Sequence, residues 1–297
     1  MSGPQTSEEK LERVTTILQA FDKAIVAFSG GVDSMLLLSL AMEAIGAANV
    51  LAVTADSPSL SRRDLDDARR LVREVRARHL VIETDELDNP NYQANRTDRC
   101  YLCKRTLFVE LEELAQRLRI PAILYGAIGE DLAAERPGQR AAAERGIHAP
   151  LQDAGFEKWE VRELAHQRGL SNWDKPQDAC LSSRVPHGQA VTPEKLRQIE
   201  IAEDALVTLG FHQVRVRHFG SHARIEVGVE EVRRFEDEAL RGTVVRRFLA
   251  MGFSSVGIDR RGYRSGSANR SDADERLLAT SDKRQGGVAQ LVRAAES

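Results

Sequence analysis

The sequence is poor in cysteine, in aromatic residues and in charge of any one sign. Its 297 residues include three cysteines and 5% aromatic residues, and 42 basic against 45 acidic side chains leave a net charge of −3. Three cysteines do not make a disulfide framework. The near balance of charge argues against nucleic acid or an anionic membrane as partner, because both favour a strongly basic surface.

Long apolar runs are also absent. None approaches the roughly 20 residues that a membrane-spanning helix needs, and the first residues lack the basic and then apolar order of a signal peptide. We therefore predict a cytoplasmic protein. The composition, 42% hydrophobic and 29% charged, is that of a folded chain that can bury a core.

The first part of the chain, up to residue 179, alternates strand-like and helix-like segments. The predicted strands are 23–28, 50–55, 79–84 and 122–126, and the predicted helices are 32–44, 62–77, 101–118 and 157–168. This order predicts an α/β fold, a parallel sheet with helices on both faces. Ligands bind such sheets beyond the carboxyl ends of the strands.

A second, smaller α/β domain is predicted at 180–268. Its expected elements are a helix at 193–209, an alternating hairpin at 213–218 and 223–227, a helix at 230–251 and a strand at 255–259. The polar segment 269–297 is predicted to be a disordered tail.

The strongest chemical signal is Ser29–Ser34, SGGVDS, which directly follows the first predicted strand and opens a helix. Gly30 and Gly31 allow backbone N–H groups to approach an anion, and the helix N-terminus adds further donors. The Ser29 and Ser34 hydroxyls can donate hydrogen bonds, and Asp33 can orient the loop or hold Mg²⁺.

SGGVDS after AIVAF resembles the PP-loop of the ATP pyrophosphatases, which cleave ATP to AMP and pyrophosphate. The segments 136–138, 178–188 and 214–217 are similar to those of the LarE-type sulfur transferases, and the resemblance covers residues 7–268. It implies a PP-loop fold that uses ATP and Mg²⁺, and it adds Gly126 to the ATP-binding residues. It also implies adenylation of a carboxylate of a pyridinium dicarboxylate mononucleotide and its conversion to a thiocarboxylate, in the maturation of the nickel-pincer nucleotide of lactate racemase.

The three cysteines are the candidates for handling sulfur. Cys180 suits nucleophilic attack on an activated acyl group, although a plain buried thiol is the simpler alternative. Cys100 and Cys103 form a CxxC pair that could bind zinc or an iron–sulfur cluster, or act in redox exchange. The set of three resembles a LarE subgroup that holds a [4Fe-4S] cluster, which implies catalytic sulfide transfer. Sacrificial loss of the Cys180 sulfur stays open.

Arg215 and Arg217 lie two residues apart on a predicted strand and so share one face. Two guanidinium groups suit a phosphate or carboxylate, while a solvated face paired with Arg224 and Glu226 is the alternative. Ser183 and Arg184, beside Cys180, are further substrate-site candidates. The resemblance adds Glu203 and Glu226 as weaker candidates for a substrate site or a metal site.

The expected partners are a small nucleotide substrate, a sulfide donor and further copies of the chain in a homo-oligomer. Two other functions stay open. A PP-loop tRNA thiolase would need a basic RNA-binding face, which the net charge does not favour. A non-enzymatic ATP-sensing or cluster-binding regulator would need an output module, and the sequence shows no helix-turn-helix.

Overall fold

The structure, a computed structural model, describes residues 6–128, 137–176, 179–264 and 277–281. The chain divides into two compact units. Unit 1 comprises Met1–Tyr92 and Thr97–Asp178, and unit 2 comprises Gln93–Arg96 and Ala179–Ser297. A short segment of unit 2 therefore interrupts the sequence of unit 1, a feature that the sequence analysis did not predict.

Unit 1 is built on a four-stranded parallel sheet in the order β3-β2-β1-β4. Its strands are β1 Ala24–Ala27, β2 Val50–Asp56, β3 Arg78–Glu83 and β4 Ala122–Tyr125. Its longer helices are α1 Ser7–Gln19, α2 Val32–Ile45, α3 Arg62–Glu74, α5 Arg99–Leu118 and α8 Lys158–Gln167, and the short ones are α4 Pro90–Gln93, α6 Pro137–Ala143 and α7 Pro150–Asp153.

Helices cover both faces of this sheet, which confirms the predicted fold class. On one face, Val26 of β1 packs with the fully buried Leu37 of α2, in a cluster that also takes in α1, α3 and α8. On the other face, Ile25 packs in a cluster with Phe108 of α5 and Ala141 of α6. Neighbouring residues of β1 thus point into opposite cores. Because both faces of the strand are buried, its sequence is a continuous apolar run.

Unit 2 contains a second four-stranded sheet in the order β5-β6-β7-β8. Its strands are β5 Val214–Phe219, β6 His222–Val227, β7 Ser255–Asp259 and β8 Leu277–Ser281, and its helices are α9 Pro193–Thr208 and α10 Glu238–Ala250. β5 and β6 form the expected antiparallel hairpin, and β6 and β7 are parallel. Alternate strand residues such as Val216 and Ile225 share an apolar core with Leu206 of α9 and Phe248 of α10.

Two features of unit 2 differ from the sequence-based expectation. The helix predicted at 230–251 is two helices, a 3-10 helix at Val229–Glu236 followed by α10. The break lies at Asp237, whose side chain accepts hydrogen bonds from the N–H groups of Ala239 and Leu240 and so caps a new helix. β8 lies within the predicted tail and pairs antiparallel with β7.

Within the described part of the chain, no helix has both the length and the hydropathy needed to cross a membrane.

Candidate active site

The loop Ser29–Ser34 joins the carboxyl end of β1 to α2, where the sequence predicted an anion cradle. Gly30 has a φ of +74°, a conformation that glycine adopts freely. Gly31 is the N-cap of α2 and makes no side-chain capping bond, so the first N–H groups of the helix are left for a ligand. The Ser34 hydroxyl donates to the Gly31 carbonyl at 3.0 Å and lies 3.2 Å from the Ser29 hydroxyl.

This loop lines a cavity of about 170 Å³ at the carboxyl ends of β1, β2 and β4. Its lining includes Ser29, Gly31, Asp33, Ser34, Gly126 and Lys104. The cavity therefore brings together five of the six predicted ATP-binding residues, and Gly30 lies between two of them in the chain. Backbone N–H groups at the start of α2, serine hydroxyls and a cationic side chain fit the phosphates of ATP.

At the end of β2, Thr54 fixes the strand beside the loop. Its buried hydroxyl donates to the carbonyl of Phe28 at 2.8 Å and lies 2.9 Å from Nε2 of His79 on β3. Burial, together with the nearby charge of Arg69, lowers the pKa of His79. The imidazole is therefore a neutral partner that ties the three strands together near neutral pH.

Gly126 follows β4 and lies against the start of α2. A Cβ at this position would be 2.8 Å from the backbone nitrogen of Ser34 and 3.0 Å from the backbone carbon of Asp33. Both are backbone atoms of the cradle and cannot rotate away. Close approach, rather than an unusual backbone angle, is thus the reason for glycine here.

We expect Gly126→Ala to weaken ATP binding by about 100-fold, because displacing the cradle by a fraction of an ångström misplaces its N–H donors. Titration calorimetry with ATP measures the change. The control is Gly242→Ala in α10, where a Cβ would meet only the mobile end of the Arg246 side chain. An affinity for ATP in Gly126→Ala equal to that of the unmodified protein would show that the close approach is dispensable.

Asp33 is paired with a lysine that the sequence analysis missed. Nζ of Lys158, the first residue of α8, lies 2.7 Å from both carboxylate oxygens. The two residues are 125 positions apart, so no local pattern marks the pair. Mg²⁺ binding by Asp33 stays a prediction, and a bound phosphate would offer the ammonium group a second anionic partner.

Lys104 is a second missed cation of the cavity. It lies on α5 directly after Cys103, and its Nζ is 5.8 Å from the ring centroid of the buried Phe108. In the described ranges, no carboxylate forms a salt bridge with Lys104, so its charge is available to a ligand in the cavity.

The three cysteines are distributed over both units. Cys100 and Cys103 lie in the first two turns of α5, three residues apart and hence on one side of the helix, with Cys100 exposed and Cys103 half-buried. Cys180 is exposed in unit 2, where it precedes the 3-10 helix Leu181–Arg184. None forms a disulfide.

Three thiolates fit an iron–sulfur cluster by the chemistry of the donor set. Among the described residues, no group of three or more His, Cys, Asp or Glu side chains is arranged to hold a metal ion. Cluster binding therefore stays a prediction. Asp178, which belongs to the motif around Cys180, and residue 136 of the segment 136–138 lie outside the described residues.

Arg184 is buried and holds the segment around Cys180. Its Nε and Nη2 donate to the two carboxylate oxygens of Glu203 at 2.9 and 3.0 Å. Its Nη1 donates to the carbonyls of Ala179 and Cys180 and to the hydroxyl of Ser183. Arg184 and Glu203 were predicted to bind substrate, and the bonds that the structure gives them orient the cysteine loop.

Arg215 and Arg217 lie on one face of β5, and that face is buried. The two residues are only 5% and 4% exposed, so this face is not solvated, whereas the pairing with Glu226 that the alternative also included is present. Arg217 donates through Nε to Glu226 at 3.0 Å and through Nη1 to the carbonyl of Ser183 at 3.1 Å. The guanidinium of Arg215 lies 5.2 Å from the ring centroid of Tyr263.

Arg224 of β6 completes this cluster and was not predicted as part of a site. It is fully buried, it pairs with Arg217 in the register of the hairpin, and its Nη2 donates to Glu226 at 3.1 Å. Strict alternation along both strands was the signal that could have found it. The cluster thus contains four buried arginines and two buried glutamates, which are Arg184, Arg215, Arg217, Arg224, Glu203 and Glu226.

A phosphate cradle of strand, glycine-rich loop and helix at the carboxyl edge of a parallel sheet defines an ATP-using enzyme of the PP-loop class. The family model of NAD synthase matches residues 7–130, which include this cradle. Over 264 residues, 89% of this chain and 95% of the relative, the chain is 35% identical to the pyridinium-3,5-bisthiocarboxylic acid mononucleotide synthase of Lactiplantibacillus plantarum. The chain belongs to the LarE-type sulfur transferases, which are ATP-using enzymes.

Two further relatives span most of the chain. An uncharacterized protein of Synechocystis sp. is 42% identical over 89% of this chain and 98% of its own length. An uncharacterized protein of Methanocaldococcus jannaschii is 28% identical over 82% of this chain and 91% of its own length. The similarity therefore runs through both units and not only through the ATP-binding part.

Proposed function

We propose that this protein adenylates a carboxylate of a pyridinium dicarboxylate mononucleotide and converts it to a thiocarboxylate, within the maturation of a nickel-pincer nucleotide. The observation that carries the proposal is the phosphate cradle Ser29–Ser34, closed by Gly126, in a chain that is 35% identical over nearly its whole length to a synthase of the bisthiocarboxylic acid mononucleotide. The cradle supports the use of ATP, and the activity for which the relative is named supports the substrate.

In the first step, a substrate carboxylate oxygen attacks the α-phosphorus of ATP, the bond to the bridging oxygen breaks, and pyrophosphate leaves. The N–H groups at the start of α2 bind the departing pyrophosphate, and the Ser34 hydroxyl joins them by exchanging the Gly31 carbonyl for a phosphate oxygen as its acceptor. Lys104 and Lys158 offset the negative charge that gathers on the phosphates. The product is an acyl adenylate, whose carbonyl carbon is electrophilic.

The arginine cluster of unit 2 is the proposed site for the substrate phosphate. Arg215 and Arg217 supply the guanidinium groups, and Ser183 supplies a hydroxyl. The bond from Arg217 to Glu226 holds one guanidinium plane in place before any ligand arrives, which reduces the entropy lost on binding. Arg184 and Glu203 keep the Cys180 segment in position.

In the second step, a sulfur nucleophile displaces AMP and leaves a thiocarboxylate. Cys100, Cys103 and Cys180 are the proposed ligands of a [4Fe-4S] cluster, which would supply an iron site able to take sulfide from a donor. The chain itself then keeps all its thiol sulfur atoms. The alternative is that Cys180 attacks and gives up its own sulfur, a route that uses one protein molecule for each product.

The test is the identity of the nucleotide product. With the mononucleotide substrate present, we expect ATP to yield AMP and pyrophosphate, and we expect Asp33→Ala to lose at least about 100-fold in rate while keeping its fold. Chromatography of the nucleotides measures the products. Asp66→Ala, at a side chain that is 74% exposed on α3, is the control and should react at the unmodified rate. ADP as the main product would refute adenylation.

A further inference from the structure

Asn172 is a buried polar residue next to the phosphate cradle that nothing in the proposed chemistry has used. It is 4% exposed, and its Nδ2 donates to the carbonyl oxygen of Gly30 at 3.2 Å. We propose that Asn172 is a positioning residue that orients the Gly30–Gly31 peptide for phosphate binding. This inference rests on the proposed use of ATP in the cradle.

The geometry of a trans peptide carries the first step of the argument. The C=O of one residue and the N–H of the next point in opposite directions across a planar bond. Holding the Gly30 carbonyl therefore directs the Gly31 N–H to the opposite side of the peptide, where it lies 3.4 Å from the Ser29 hydroxyl and where both residues line the cavity. At φ +74° and without a side chain, Gly30 cannot set this orientation by itself.

The other end of the Asn172 amide supports a requirement for a donor. Its Oδ1 is buried and has no hydrogen-bond partner among the described residues. Rotating the amide by half a turn would place this oxygen against the Gly30 oxygen, so the Gly30 carbonyl fixes the orientation. A buried acceptor without a partner is unfavourable, and an apolar residue would avoid it. An apolar residue would, however, leave Gly30 unheld.

The turn that carries Asn172 is bound to two helices of unit 1, α8 and α3. Arg162 of α8 donates to the carbonyls of Trp173 and Lys175 at 3.2 and 2.8 Å. Nζ of Lys175 lies 3.1 Å from the Asp64 carboxylate on α3. Bonds to α8 and α3 therefore fix the turn that carries the Asn172 amide, as a positioning residue requires.

The test compares Asn172→Ala and Asn172→Asp with Asn95→Ala in calorimetric titrations with magnesium pyrophosphate and with α,β-methylene-ATP. Asn95 is also fully buried, but its Nδ2 donates to carbonyls of unit 2, so its loss destabilises the protein without touching the cradle. We expect both Asn172 variants to bind each ligand about ten- to a hundred-fold more weakly. Asn95→Ala should bind both ligands with the affinity of the unmodified protein, even if its melting temperature falls by as much as that of the Asn172 variants.

Unmodified affinity in a folded Asn172→Ala or Asn172→Asp would overturn the inference. If neither variant folds, selective ¹⁵N labelling of asparagine in the unmodified protein decides. Of the two buried asparagine side chains in the described part of the chain, Asn95 and Asn172, the one whose amide signal persists in the spectrum of Asn95→Ala is Asn172. This amide signal should shift on addition of pyrophosphate, and a signal that does not shift contradicts the inference. Absence of pyrophosphate and ATP binding by the unmodified protein would instead refute the proposed function.

Discussion

Alanine in place of Cys100, Cys103 or Cys180 is expected to abolish thiocarboxylate formation, and each of the three variants is expected to lose bound iron. Three thiolates are the fewest protein ligands that hold the proposed cluster with one iron left open, so removing any one of them removes the sulfur carrier. Anaerobic purification, with iron and sulfide analysis and mass spectrometry of the product, measures both losses.

A measurement of ATP cleavage distinguishes a loss of sulfur transfer in these variants from damage to the first step, the adenylation of the substrate. The cradle and its cavity contain no cysteine side chain among their described lining residues. We therefore expect the three variants still to exchange pyrophosphate with ATP when substrate is present. Thr106→Ala, on the same helix α5 as two of the thiols, is the control and should keep both iron and product formation.

The same preparations distinguish the two sources of sulfur. In the cluster route, the Cys180 peptide has an unchanged mass after turnover, and each enzyme molecule makes more than one product. In the sacrificial route, that peptide loses the mass of H₂S, and only Cys180→Ala is inactive. This second pattern would refute the role proposed for Cys100 and Cys103.

Glu203→Ala is expected to lower the free energy of unfolding by about 3–5 kcal/mol, the range found when one partner of a buried ion pair is removed. The substitution leaves the Arg184 guanidinium charged and buried, because both side chains of the pair are only 3% exposed. It also removes the acceptor for the backbone N–H of Val216 in β5, which donates to Glu203 at 2.9 Å. Urea denaturation, followed by circular dichroism, measures the difference.

An exposed ion pair provides the matched control for Glu203→Ala. Arg70 and Glu74 on α3 approach to 2.5 Å, but their side chains are 49% and 37% exposed. Glu74→Ala should therefore change the free energy of unfolding by less than about 1 kcal/mol. If Glu203→Ala changes the free energy of unfolding as little as Glu74→Ala does, the Arg184 pair does not hold the Cys180 segment as proposed.

Local patterns in the sequence were sufficient to predict the parallel sheet and the phosphate cradle. β1, the loop Ser29–Ser34 and α2 follow one another in the chain, so glycine content and apolar runs mark them directly. The alternation of β5 likewise predicted that Arg215 and Arg217 share a face. It could not predict that this face is buried, because burial depends on elements that lie elsewhere in the sequence.

The residues that the sequence did not reveal make contacts between distant positions. Lys158 meets Asp33 across 125 residues, and Asn172 meets Gly30 across 142. No periodicity connects such pairs, and single lysines and asparagines are common on surfaces. The break at Asp237 was missed for a different reason, because the capping signal lies inside a stretch whose residues otherwise favour a helix.

Unit 2 cannot be transferred to another protein as one continuous piece of chain, because it includes the distant segment Gln93–Arg96. Asn95 donates to the carbonyls of Val185, Pro186 and Gln189 at 3.1, 2.8 and 3.0 Å. A recombinant fragment that begins at residue 179 would carry this loop without the amide that closes it. Recombination at a single crossover near residue 179 would likewise separate Gln93–Arg96 from the rest of unit 2, so a transfer of this unit has to include both segments.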